Sequence, residues 1–358
     1  MYRISNFQIF CFMIILVGPV AFLEQPGRVI SIAAQNAWLT SLAALFSGAL
    51  IILMFSFIIK KSENPFPYLL EEHFGIIIGK FLSLIYLLVF LFITSYTLAL
   101  FVNFITNNVL PDTPISILIG GLLFVGYIII KSGLESFARL CEIIVYIGLP
   151  FSFLIIFLGS FQTPDIARLL PIGYISVKDF SLALVSNTSV LGRLFPLLTF
   201  AYFANNTAKL NSVLFKVLLT YITLMTATVL AIIVVFGANT VDILAFPIFS
   251  LVRLIDISEF INNVDIVFIG IWVLGIVGAL TIFWFLACFV SQYIFNLKEF
   301  DFLAAPFSLI IATTSLLMSQ NIIILNIITK HLVIYIYVLL FILIPFFIFL
   351  KSLFYSRV

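Results

Sequence analysis

The sequence predicts an all-α polytopic membrane protein of about ten transmembrane helices, and three observations carry that reading. Of 358 residues, 64% are hydrophobic and 9% charged, against roughly 25% charged in a soluble domain. The mean hydropathy is +1.30. The apolar residues also fall in continuous runs, most near or above the roughly 20 residues a spanning helix needs. Barrel strands would instead show short alternating segments of about ten residues.

The predicted spans cover approximately 7–24, 33–59, 81–107, 114–131, 136–159, 182–204, 213–237, 265–291, 303–320 and 332–350. They form a single transmembrane domain over 1–358 with no long soluble segment. The first follows Arg3 and so invites comparison with a signal peptide. Its only cleavage candidate, Ser31-Ile32-Ala33-Ala34, is weak and lies past Gly27, so a retained helix is expected. The ninth is the weakest span, interrupted by Pro306 and several Ser and Thr.

Basic residues set the expected orientation. With the N-terminus inside, eleven Lys and Arg face inward (Arg3, Lys60, Lys61, Lys80, Lys131, Arg139, Lys209, Lys216, Lys298, Lys351, Arg357). Five face outward (Arg28, Arg168, Lys178, Arg253, Lys330), so both termini are expected in the cytoplasm. No basic, aromatic-interleaved patch points to nucleic acid. Cys11, Cys141 and Cys288 lie in or beside spans without paired spacing, which gives neither a disulfide framework nor a metal site. There is no HExxH, GxSxG or P-loop, and His73 and His331 stand apart at span edges. Neither an enzyme nor a cofactor is expected.

Between the spans, residues 67–81 read as a short amphipathic helix on the inside, with Glu71, Glu72, His73 and Lys80 on its polar face. The outer stretch 238–264 reads as one or two short surface helices, which serve either as a lid or as packing. Glu135, Arg139 and Glu142 share a helix face and can pair near the inner end of the fifth span. Glu24, Arg28 and Asp265 fall at outer boundaries, and Trp272 and Trp284 read as lipid-facing or packing residues.

The chemistry is expected at two interrupted spans. The first carries Gly18-Pro19 at its centre, and the sixth carries Gly192, Arg193 and Phe195-Pro196. In hydrocarbon every freed backbone group needs a partner, so such breaks survive where they line a protein cavity. A half-helix N-terminus suits a carboxylate and freed carbonyls suit an ammonium group. Paired breaks in the first and sixth of ten spans fit a five-plus-five inverted repeat with a midplane site. The candidate ligand-binding residues are therefore Val17, Gly18, Pro19, Val20, Gly192, Arg193, Phe195 and Pro196 at the breaks. Thr94 and Tyr96 on the third span and Thr199 and Tyr202 on the sixth join them as polar candidates. Two readings of Arg193 stand: it reaches a ligand carboxylate, or it snorkels to the outer surface.

Several stretches resemble the spore germination permeases, the B subunits of nutrient germinant receptors. They are NAWLTSLAALFSG (36–48), LPDTP (110–114), GLESFARLCEI (133–143), RLLPIG (168–173) and FPIFSLVRLIDISEFINNVDIVFIGIWVLGIVGAL at the eighth-span entry. That family belongs with the amino acid–polyamine–organocation superfamily. The resemblance implies a LeuT-like five-plus-five fold with broken helices 1 and 6, in the inner membrane of a dormant spore. It also implies recognition of a small nutrient germinant, often an amino acid, together with A-type and C-type receptor subunits and the lipid bilayer as partners. Two departures stand out. The family often has Phe-Pro-Phe-Gly-Glu at the sixth-span break, where this chain has Phe195-Pro196-Leu197-Leu198-Thr199. It often has Glu-Arg before the eighth span, where Asn262-Asn263-Val264-Asp265 stand here.

Overall fold

The computed structural model describes residues 3–62, 64–256 and 264–354. Eight helices in it are long and apolar enough to cross a membrane. One of these runs, Asn6–Lys61, is two helices divided by a tight turn at Ala34–Asn36, and the shorter apolar helix Ile115–Lys131 adds another. The ten are α1 (Asn6–Ala33), α2 (Ala37–Lys61), α3 (Ile76–Asn108), α4 (Ile115–Lys131) and α5 (Gly133–Ser160). They continue with α6 (Val177–Leu191, extended by short turns to Phe203), α7 (Leu210–Phe236), α8 (Val264–Phe295), α9 (Ala304–Ser319) and α10 (Ile322–Phe354). Asn262 and Asn263, Glu259 and Arg357 lie outside the described residues.

Local chemistry explains most of the boundaries. Ser5 and Gln8 close a capping box at the start of α1, satisfying two orphan donors at once. Gly75, at φ +82°, ends the short helix Phe66–Phe74 and lets α3 begin at Ile76, five residues before the sequence predicts. That conformation favours glycine. α1 and α10 are both longer than predicted. α1 carries its helix past Glu24 through Arg28 to Ala33, and α10 begins at Ile322.

The helices assort into two packed groups. α3 packs most extensively on α8 and α9, with α4 against the same pair, and this forms one body. α1, α2, α6 and α7 pack on one another as a second. They meet where α1 crosses α8. A Cβ on Gly275 would stand 2.7 Å from Pro19 Cγ, and one on Gly278 would stand 2.9 Å from Ile15 Cγ2. Small residues permit this approach, which dispersion then rewards in a lipid setting. α10 bridges the groups, its last turns lying on α2 and its first on α3.

The described part of the outer stretch, 238–256, is packed on the helices. Helix Pro247–Arg253 buries Ile248, Phe249, Leu251 and Val252, and Phe249 meets Phe104 with ring centroids 4.9 Å apart. Arg253 covers the Phe249 ring and reaches Asp265 at 3.8 Å. The Glu135–Arg139 pair forms at 2.7 Å on the surface, and Glu142 stands outside it.

Candidate functional site

The two interruptions take different forms. α1 stays helical through Gly18-Pro19, a milder interruption than the sequence predicts. Pro19 has no N–H, so the ladder thins there, and side chains from other helices come in to carbonyls of that stretch. The Trp272 indole on α8 donates to the Pro19 carbonyl at 2.8 Å, and Arg193 Nε on α6 donates to the Leu16 carbonyl at 2.6 Å. In α6 the α-helical ladder does give out. Leu191 is its last residue, and tight turns follow through Phe195 N–H to Gly192 O (2.9 Å) and Thr199 N–H to Pro196 O (2.9 Å).

Arg193 sits at the centre of this region, 1% exposed. It does not snorkel. Besides the Leu16 carbonyl it donates through Nη1 to the Tyr337 hydroxyl at 2.8 Å. Its guanidinium lies over the rings of Phe283 (5.4 Å) and Tyr337 (5.6 Å), contacts worth about 2 kcal/mol when desolvated. Nη2 has no protein partner. Below it Phe195 stacks on Tyr86 (5.1 Å) and Phe341 (4.8 Å), so aromatic rings from α3, α6 and α10 fill the space between the helices.

A second polar group lies farther along α1. Glu24 and Arg28, placed by the sequence at the outer end of the first span, are held among the helices. Their side chains are 10% and 12% exposed and pair at 3.6 Å. Tyr96 donates to Glu24 and lies 3.0 Å from the Thr329 hydroxyl, while Arg28 Nη2 donates to the Thr329 carbonyl at 3.0 Å. One residue on, Gln25 donates to Ser186 (3.0 Å) and Asn187 (3.2 Å), and Asn187 donates to Thr40 (3.1 Å). This chain of bonds ties α1 to α2, α3, α6 and α10 without leaving the interior.

α10 supplies both groups from widened turns. Residues 328–332 and 337–343 are π-helical, a geometry found mostly as short bulges, often at functional sites. Thr329 lies in the first, and Tyr337, Leu340 and Phe341 lie in the second. Tyr86 donates to the Leu340 carbonyl, to which Pro345, five residues on, has no N–H to offer.

The structure distributes the candidate residues unevenly. Val17, Val20, Arg193, Phe195 and Tyr96 line or abut this interior, all with exposures of 2% or less. Gly192 packs against the Tyr337 carbonyl, which a Cβ would approach to 3.1 Å. Pro196 and Thr199 are buried just past the break. Thr94 spends its hydroxyl on its own helix, at Phe90 O. Gly18 and Pro19 face another way, into an apolar cavity of about 70 Å³ walled by α5 and α8 through residues such as Ile144, Gly148 and Ile271. Tyr202 is remote from both, 39% exposed in a cavity of about 570 Å³ with Arg3 and Lys60. The sequence reads Trp272 as lipid-facing or packing and gives no sign of Gln25, Thr329 and Tyr337. The Glu24-to-Arg28 spacing of one helical turn was the one legible signal, obscured by ending the first span at 24.

A broken α6 reaching across to α1, with α3, α8 and α10 closing around the contact, defines a helical membrane protein with a transporter-like fold. The fold agrees with a solved structure of Mhp1, a nucleobase-cation-symport-1 family transporter in a closed conformation with bromovinylhydantoin bound. The TM-score is 0.66 over 99% of this chain and 90% of that one, at 12% identity, so both share the LeuT-type fold. The particular family is set by sequence: residues 3–323 match the spore germination protein family model, and the chain belongs to that family. It is 23% identical to spore germination protein KB of Bacillus subtilis (strain 168) over 89% of this chain and 86% of that protein. It is 26% identical to YfkT of the same organism over 76% of this chain and 74% of that protein.

Proposed function

We propose that this chain is the membrane-embedded B subunit of a spore germinant receptor, recognising a small nutrient such as an amino acid beside the α6 break. It would lie in the inner membrane of the dormant spore with both termini on the core side, and A-type and C-type subunits would read its state. The observation that carries the reading is Arg193. A charge at the bilayer centre costs at least about 2.5–3.5 kcal/mol on insertion scales, and here it is 1% exposed at the break with a spare donor. A structural role alone does not require that spare donor. Binding would act by favouring one arrangement of the α1/α2/α6/α7 group against the α3/α4/α8/α9 group, which requires different affinity for the two.

The test is a thermal-unfolding screen of the purified full chain against amino acids, sugars and nucleosides. A true ligand stabilises by mass action, and Arg193→Met should abolish that shift. A panel without any stabilising compound, or equal stabilisation of the variant, would overturn the reading.

The transporter-type two-group architecture favours one second reading, a secondary amino-acid transporter. It expects concentrative uptake into proteoliposomes under a pH gradient. Thr199, standing where the family resemblance implies an acidic residue, weighs toward recognition without pumping.

A further inference from the structure

The cavity that holds Tyr202 takes no part in the α6 site, and its lining suits a different occupant. Its volume is about 570 Å³, within the roughly 300–1,000 Å³ of small-molecule sites. A backbone clasp forms one wall. The Ile4 N–H donates to the Phe203 carbonyl at 2.8 Å and the Asn205 N–H donates to the Ile4 carbonyl at 3.0 Å, a parallel bridge between Ile4 and Ala204. The clasp sets Arg3 against the end of α6. Lys60, in the last turn of α2, lines the same cavity, and Ser62, Tyr202, Asn205 and Thr207 add hydroxyl and amide groups.

The charge of this lining is one-sided. Among the described residues, Arg3 and Lys60 are its charged members, and neither has an ion pair. Glu72 touches the lining from behind, accepting from the Ser62 hydroxyl at 3.0 Å. Glu63 lies outside the described residues. Two unpaired cations among neutral hydrogen-bonding groups suit an oxyanion, and phosphate above all.

The surface of α2 indicates what carries that oxyanion. Phe46, Leu50, Leu53 and Lys60 follow at intervals of four, three and seven residues, which puts them on one helix face. All four are exposed. In a bilayer the three apolar side chains lie against hydrocarbon, and the lysine at their end reaches headgroup level. Lys60 therefore joins a lipid-facing stripe to the polar cavity. Basic pockets between spanning helices hold anionic headgroups in this way.

We propose that this cavity binds the phosphate of an anionic phospholipid through Arg3 and Lys60, from the leaflet beside the N-terminus. A zwitterionic headgroup fits less well, because its ammonium would stand beside two cations with no carboxylate among the described lining residues. The occupant would touch both packed groups. Leu198 and Tyr202 belong to α6, and Leu69 belongs to the short helix Phe66–Phe74, which packs on α3. A bound headgroup therefore favours this arrangement of the groups over one that parts them. The proposal is independent of nutrient recognition and needs no ligand at Arg193.

The test places the full chain in phosphatidylcholine nanodiscs and raises the fraction of phosphatidylglycerol stepwise at constant ionic strength, with thermal unfolding as the readout. The expected result is a saturable rise in Tm. Arg3→Gln and Lys60→Gln should each weaken the apparent affinity by about fivefold, the effect of one basic residue at a membrane surface. The control Lys131→Gln/Lys298→Gln removes exposed basic residues outside the cavity and should leave the curve in place. Native mass spectrometry of the full chain gives a second readout: wild type should retain a phosphatidylglycerol that the Arg3→Gln/Lys60→Gln variant loses. A rise that never saturates, or an equal loss in the control, would mean diffuse surface attraction and overturn the site. Glycerol phosphate or an oligoglutamate peptide that stabilises the chain equally in pure phosphatidylcholine would assign the cavity to a soluble phosphate or an acidic segment, and would overturn the lipid.

Discussion

Gly18-Pro19 in α1 and Gly192 to Pro196 in α6 pair the same two residue types, and the fold uses them differently. In α1 the helix runs on, and Trp272 and Arg193 serve the Pro19 and Leu16 carbonyls from neighbouring helices. In α6 the helix stops at Leu191 and the chain continues in tight turns that place Arg193 in the interior. Around Gly18 there is open space, since a Cβ there would meet nothing within 4 Å. Around Gly192 there is none, since a Cβ would meet the Tyr337 carbonyl at 3.1 Å. A proline within a span is therefore not a site in itself. What distinguishes the two is the cross-helix partner each stretch takes: at α1 the Leu16 carbonyl receives Arg193 from α6 and the Pro19 carbonyl receives Trp272 from α8.

Four substitutions would break or sharpen this contrast. The largest effect is expected from Arg193→Met, which removes the only charge at the α6 break. Nutrient-dependent stabilisation should fall by about 10- to 100-fold in apparent affinity, given about 1.5–3 kcal/mol for a hydrogen bond to a charged group. Ligand titration followed by thermal unfolding measures it, and a variant that binds within a few-fold of wild type would remove Arg193 from the site. Trp272→Phe should come next. It strips the Pro19 carbonyl of its donor and should cost about 1–3 kcal/mol of stability, read from denaturant or thermal unfolding in detergent. An unchanged stability would mean that the indole bond adds nothing to the intrahelical bonding of α1.

Gly192→Ala should cost a similar or smaller amount, about 1–3 kcal/mol, because the added methyl presses on α10 backbone at the widened turn. It should also weaken nutrient binding, since Tyr337 is the partner of Arg193. Gly18→Ala is the mirror case and the smallest. Its methyl enters the apolar cavity of about 70 Å³, helix propensity improves, and stability should rise by about 0.5–1 kcal/mol with nutrient binding retained. Loss of binding in Gly18→Ala, rather than in Gly192→Ala, would invert the assignment of the two interruptions.

Much of this was legible beforehand for a simple reason. Hydrocarbon demands long apolar runs with internally bonded backbone, so span number and helical class follow from composition and run length. The α6 break was legible as well, because Gly, Arg and Pro within five residues leave few ways to continue an α-helix. Glu24 and Arg28 were harder. A hydropathy reading ends a span at the first charge, while the helix itself continues wherever buried partners satisfy that charge. Tyr96 and Thr329 are those partners, and they come from sequence positions far apart. Trp272 carried no local sign of its bond to Pro19.

The sequence by itself determined a polytopic helical protein, a break in the sixth span and an arginine placed at that break. The tertiary structure alone decided which way each residue faces. Gly18 opens toward α5 and α8, Arg193 turns inward to α1 and α10, and Tyr202 falls in a different cavity. The physical reason is one of range. Helix formation and membrane insertion are set by neighbours along the chain, whereas the partners of a buried polar group are chosen by packing among ten helices. Among the described residues, that packing leaves Arg193 Nη2 buried without an acceptor.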